Sequence, residues 1–185
     1  MGSIDRPFLP LSLALGAEAT FVARAIDTDR KHLTEVLRTA ATHRGTALVE
    51  IYQNCNIYND GAFDFVREDK TNRIYLEHGK PVRFGADGEK GVVIADDGAA
   101  HVVAVATVGE SALHVHDAHA AEPNHAFALS RLTYGAHGGT PIGIFRDIDR
   151  PSYDELLTEQ LDTAVARKGA GDLDALLNGV DTWQV

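Results

Sequence analysis

Sulfur is scarce in this chain: 185 residues carry one cysteine, Cys55, and one methionine. A single cysteine excludes a disulfide framework. The N-terminus lacks the basic, long apolar and small-residue series of a secretory signal. No apolar run approaches the roughly 18 residues of a membrane span. The expectation is a cytoplasmic protein with no membrane partner. Positive charge is also short, with 17 Lys and Arg against 27 Asp and Glu and a net charge of -10. That balance disfavours nucleic acid and anionic membranes as partners. A Gly-x-Gly-x-x-Gly fingerprint, a Walker loop and a Gly-x-Ser-x-Gly elbow are all missing, as are internal repeats and low-complexity linkers. What remains is 44% hydrophobic, enough to bury a real core in one domain or a domain with an appendage.

The apolar pattern predicts an α/β fold. Phe21 to Ile26 is a short β-rich run, and Asp29 can cap the helix that follows. Leu33, Val36, Leu37, Ala40 and Ala41 fall at helical spacing and form one apolar face. Gly45 is a candidate C-cap, and Thr46 to Tyr52 is a nearly continuous apolar run interrupted by Glu50, as expected of a buried parallel strand. Strand, helix, strand in this order predicts a right-handed crossover with the two strands parallel. Cys55 then lies just past the carboxyl end of its strand, the edge at which open α/β sheets bind ligands.

The rest of the chain has a different texture. Short apolar runs over residues 73–106, divided by the Asp87-Gly88 and Asp97-Gly98 turns, predict a small β-rich insertion. Residues 112–115 read as a further strand, 123–132 as a helix, and Pro141 to Phe145 as another apolar strand. Residues 152–168 read as a helix with Leu156, Leu157, Leu161 and Val165 inward, ended by Gly169. The tail from Asp172 predicts a short helix and an extended end carrying Trp183.

Two groups of side chains could carry chemistry. A Cys55 thiolate is one candidate metal ligand, against the ordinary reading of a lone cysteine as a small buried hydrophobe. His114, His116, Asp117 and His119 place three imidazoles and a carboxylate within six residues, a donor set suited to zinc. The hydrolase pattern nearest to this run needs Asp and the last His adjacent, and here Asp117 stands one position too early. Histidines at a strand end, solvated or hydrogen-bonded, are the alternative to metal-dependent hydrolysis.

Three segments carry a resemblance: Ser3-Ile-Asp-Arg-Pro-Phe8, the run from Leu11 to Arg24, and Glu50-Ile-Tyr-Gln-Asn-Cys-Asn-Ile-Tyr-Asn-Asp-Gly-Ala-Phe-Asp64. It continues through Leu76-Glu-His-Gly-Lys-Pro81 and Thr140-Pro-Ile-Gly-Ile-Phe-Arg146. These resemble the C-terminal half of the β subunit of 2-oxoacid:ferredoxin oxidoreductases, in particular the 2-oxoglutarate type of high-GC Gram-positive bacteria.

The resemblance implies a fold, cofactors and partners. Residues 1–66 would be the C-terminal part of a thiamine-diphosphate-binding parallel-sheet domain, and 67–185 a small β-rich extension ending in helices. In that family an upstream Cys-x-x-Cys and a third upstream cysteine hold three corners of a [4Fe-4S] cluster, and the cysteine matched by Cys55 supplies the fourth. A Gly-Asp-Gly segment and a downstream Asn bind Mg2+ and thiamine diphosphate. None of these upstream elements occurs here. The expectation is therefore part of a longer subunit, whether a truncated product, one piece of a split gene or a reading frame begun at an internal methionine. Such a chain would hold no cofactor and have no catalytic residue of its own. It would need the N-terminal half, the α subunit, ferredoxin and coenzyme A. The implied substrate is 2-oxoglutarate, with pyruvate and branched-chain 2-oxoacids as alternatives. A standalone α/β binding or scaffold domain is the other reading. Half of a parallel sheet lacks neighbours and should expose an apolar edge.

Overall fold

The computed structural model describes residues 4–5, 7–132, 138–179 and 183. The chain divides into two compact units, residues 1–150 and 151–185. In the first, the elements run α1 (Pro10–Gly16), β1 (Phe21–Ile26), α2 (Arg30–Thr42), β2 (Ala47–Tyr52), α3 (Asp64–Arg67), β3 (Arg73–Leu76), β4 (Arg83–Phe84), β5 (Lys90–Ile94), β6 (Ala100–Ala104), α4 (Val105–Val108), α5 (Asn124–Ser130) and β7 (Thr140–Asp147).

β1, α2 and β2 form the expected crossover. β1 and β2 are parallel and pair Phe21 with Ala47 through Ile26 with Tyr52. The Asp29 carboxylate accepts the His32 amide at 3.3 Å and starts α2. The helix ends at Thr42 with His43 as its cap, so Gly45 (φ +124°) serves the following turn and not the cap. The main sheet has the order β2, β1, β7, β3. β3 and β7 are parallel, whereas β7 runs antiparallel to β1. Two of the three pairings are thus parallel, and an antiparallel strand from late in the chain occupies the interior of the sheet.

Three clusters of described residues pack on this sheet, one of them around Ile26, Val66 and Ile142. Val22, Ile74, Leu76 and Phe145 join α1, α5 and the small sheet in the largest core, with Leu11, Leu15 and Leu129 fully buried. Phe21, Ala23 and Val36 pack with Ala40, Val49 and Ile144 beneath α2. Of the apolar positions of α2, Val36 is buried while Leu37 is 43% exposed. One helix over a narrow sheet needs a stripe narrower than the sequence offers.

β2 is not the buried strand that its composition predicts. Among the described residues β1 is its sole neighbour in the sheet, and Ala47 and Ile51 are exposed. The apolar run is real, but nothing among the described residues covers its outer edge. The β-rich insertion is present as the antiparallel meander β4, β5, β6. β3 belongs to the main sheet instead, and the insertion ends at Ala104, where α4 begins. Residues 112–115 form no strand. A 3-10 turn spans Glu110–Ala112, and Val115 makes an isolated bridge to Pro81.

The second unit contains α6 (Tyr153–Lys168) and α7 (Leu173–Leu177). Ser152 and Glu155 close a reciprocal capping box at the start of α6. Leu156, Leu157, Leu161 and Val165 are 37–56% exposed and not inward as their spacing suggests. Helical period fixes which residues share a face, not whether a neighbour covers it. Apart from Asn178, Gly179 and Trp183, the extended end expected after α7 lies outside the described residues.

Candidate functional site

Cys55 lies three residues beyond β2, past the carboxyl end of the strand, as expected. It is exposed, so the reading of a buried core thiol does not hold. The segment after it returns on itself: Cys55 and Asn59 form an isolated antiparallel bridge, with the Asn59 N–H donating to the Cys55 carbonyl at 3.0 Å. The neighbouring backbone N–H groups of Tyr58, Ile57 and Asn59 favour the thiolate and hold its pKa below the ordinary value of 9.0. Hydrogen bonds to the charged form favour it.

The two ends of this loop are anchored. Before it, the Tyr52 ring stacks on Phe63 after it, with centroids 4.2 Å apart and planes 17° from parallel. These rings pack on Ile26, Val66 and Ile142. Beneath Tyr52 lies Arg24, which is 1% exposed. Its Nε donates to Glu50 at 2.6 Å, its Nη1 donates to the Pro141 carbonyl at 3.2 Å, and its guanidinium lies 4.8 Å from the Tyr52 ring centre. A buried charge persists only when paired in this way. The pair was legible in outline: Arg24 and Glu50 are the lone charges of two apolar six-residue strands, and parallel register sets them opposite each other.

The histidine run does not converge. His116 is buried and its Nε2 donates to the Ile144 carbonyl at 2.8 Å. His114 packs edge-on against His125, and burial followed by the fields of His125 and His116 lowers its pKa to about 4. His119 donates from Nδ1 to the Asp147 carbonyl and rests against His78. No group of three or more His, Cys, Asp or Glu placed to hold a metal ion occurs among the described residues. The run therefore serves strand ends and turns.

A cavity of about 630 Å³ opens between α2 and the sheet, lined in part by His32, Tyr75, Glu77, His78, His119 and Asp147. The Tyr75 hydroxyl donates to Asp29 at 2.7 Å, and Arg73 reaches the same carboxylate at 3.3 Å. Sequence reasoning missed this cavity, because its walls come from segments more than a hundred residues apart.

The sequence matches no family model. Among curated proteins it is 51% identical over its whole length to the 2-oxoglutarate oxidoreductase subunit KorB of Mycobacterium tuberculosis. It spans 50% of that subunit's length. The chain resembles half of a 2-oxoacid:ferredoxin oxidoreductase β subunit. Over 63 residues, 31% of this chain and 21% of the relative, it is 45% identical to the 2-oxoacid:ferredoxin oxidoreductase β subunit of a Sulfolobus species. The fold is that of a chain in the 2-oxoglutarate:ferredoxin oxidoreductase of Magnetococcus marinus, solved with 2-oxoglutarate, coenzyme A and succinyl-CoA bound. That match has a TM-score of 0.57 at 21% identity and covers 95% of this chain and 45% of the other.

Proposed function

We propose that this chain is the C-terminal half of the β subunit of a cytoplasmic 2-oxoglutarate:ferredoxin oxidoreductase, and that Cys55 supplies the fourth thiolate of its [4Fe-4S] cluster. The whole-length identity to a subunit twice as long is the observation that carries this reading. The geometry of Cys55 supports it. An exposed thiol beyond a strand end, faced by backbone N–H groups, has the thiolate character that cluster iron requires. The donor set fits one corner and no more, because this is the chain's only cysteine. The free edge of β2 supports it as well, since Cys55 follows an edge strand of the main sheet whose outer side, among the described residues, pairs with no strand.

In the assembled enzyme thiamine diphosphate with Mg2+ would supply the decarboxylation chemistry and the cluster, held in part by Cys55, would supply one-electron transfer toward ferredoxin, with coenzyme A as acyl acceptor. The Gly-Asp-Gly segment is absent here, so the thiamine site belongs to the remainder of the β subunit with the α subunit. This chain alone is inactive. What its residues contribute is a thiolate held at a fixed place: Arg24 orders Tyr52, and Tyr52 with Phe63 orders the loop.

The test is reassembly. This chain, the N-terminal half and the α subunit are produced together, and iron content, visible absorption and 2-oxoglutarate-dependent ferredoxin reduction are measured. The expected result is a cluster and activity in the complete assembly, neither in the isolated chain, and loss of both in Cys55→Ala. A full cluster in the Cys55→Ala assembly overturns the ligand assignment. A chain that stays monomeric and binds neither partner is a standalone α/β domain.

A further inference from the structure

Asn54 is half-buried beneath a loop whose other residues from Cys55 to Asp60 are exposed. Its amide is used at both ends. Oδ1 accepts the Gly61 N–H at 2.9 Å, and Nδ2 donates to Asp60 Oδ1 at 2.8 Å. One side chain thus ties the residue before the cysteine to the two residues that close the turn. Gly61 has φ +77°, a conformation that glycine adopts without strain. A Cβ there would lie 3.0 Å from the Asp64 carboxylate. The turn is therefore specified from two sides, by the clamp and by the glycine.

We infer that Asn54 is the positioning residue of the Cys55 loop: its two hydrogen bonds hold the turn closed so that the backbone N–H groups of Ile57 and Tyr58 face the sulfur before any partner or metal is bound. Its consequence for a cluster rests on the reading of Cys55 as a cluster thiolate. The loop geometry itself does not, because every group in it belongs to this chain. The argument is one of reach. The stack of Tyr52 on Phe63 fixes the ends of a detour over residues 53–62 but leaves its apex free, and Ile57 and Tyr58 at that apex are 79% and 90% exposed. Inside the detour, the Cys55–Asn59 bridge and the Asn54 clamp act together, and the clamp is the part made by a side chain. Hydrogen bonds to cluster sulfurs and solvent exposure set cluster potentials, so a clamp that orients such donors acts on potential without touching iron.

The clamp can be broken and rebuilt. Asn54→Ala removes both bonds. Asn54→Asp keeps the acceptor for Gly61 but sets a carboxylate against Asp60. Adding Asp60→Asn to Asn54→Asp restores both bonds, now with the donor on residue 60. In the isolated full chain, amide hydrogen exchange at Ile57 and Tyr58 is expected to quicken at least tenfold in Asn54→Ala and Asn54→Asp, and at Gly61 in Asn54→Ala, and to return toward wild type in the double variant. In the reassembled enzyme the cluster's midpoint potential is expected to fall in both single variants and recover in the double one. Unchanged exchange in both single variants overturns the inference, as does a cluster potential that ignores Asn54. If the wild-type assembly takes up no cluster, the proposed function fails, and the exchange measurement still decides whether Asn54 is the clamp.

Discussion

At the scale of single residues, Gly143 shows how one position decides a strand. It lies inside β7 with φ +116°, opposite Arg24 on one side and Leu76 on the other. A Cβ built there comes within 2.8 Å of the Leu76 carbonyl oxygen, a backbone atom that cannot swing aside. Just beyond it the register with β1 shifts, so that Val22 faces Arg146 and Ala23 faces Ile144. Gly143→Ala combines left-handed strain with that clash and is expected to destabilise the chain by about 1–3 kcal/mol. A urea midpoint equal to that of the wild type would show that the strand can relax around the methyl group.

At the scale of elements, legibility tracked whether the partner lies nearby in sequence. The β1, α2, β2 unit could be read because its apolar spacing and its Asp29 cap are local. The β4 to β6 meander could be read from its Asp-Gly turns. The burial of β2 could not, since a continuous apolar strand looks the same whether a second neighbour is present or not. The same holds for Leu157 and Leu161 of α6, whose spacing is helical but which stay 37% and 56% exposed. For Cys55, sequence supplied the position past the strand end, while the Asn54 clamp depends on a tight turn that no spacing reveals. The bare edge of β2 has a measurable consequence. An unpaired apolar edge is a template for another strand, and natural proteins blunt such edges with lysine. Light scattering on the isolated chain should show association that grows with concentration, and Ile51→Lys should suppress it with little loss of stability. Equal association in both proteins would move the sticky surface elsewhere.

At the scale of the whole molecule, three half-buried or buried imidazoles set the response to acid. Burial, the largest cause in each case, lowers the pKa of His32, His114 and His116 from the ordinary 6.5, in His114 to about 4. A histidine lowered on folding stays neutral in the native state while the unfolded chain binds a proton. The stability it contributes is complete above pH 6.5 and is lost as pH falls toward 4. Glu18, bonded to Arg146, and Asp69, bonded to Thr71, are lowered from 4.5 and 3.8 and so act below most of this window. The urea midpoint should therefore drop between pH 7 and pH 5. His114→Phe, which replaces the ring against His125, should lessen that drop. An unchanged pH dependence in that variant would assign the acid sensitivity to other groups.

The placement of β7 between β1 and β3 also governs how the chain is made. About 120 residues separate the end of β1 from the end of the strand that pairs with it. At about 5–20 residues per second of synthesis, β1 waits roughly 6–24 s for its interior neighbour. During that time the nascent chain can complete its local crossover and its meander, but the main sheet is split into two halves. A ribosome that stalls before residue 140 releases a polypeptide with the rims of its sheet and no middle, a substrate for chaperones and proteases.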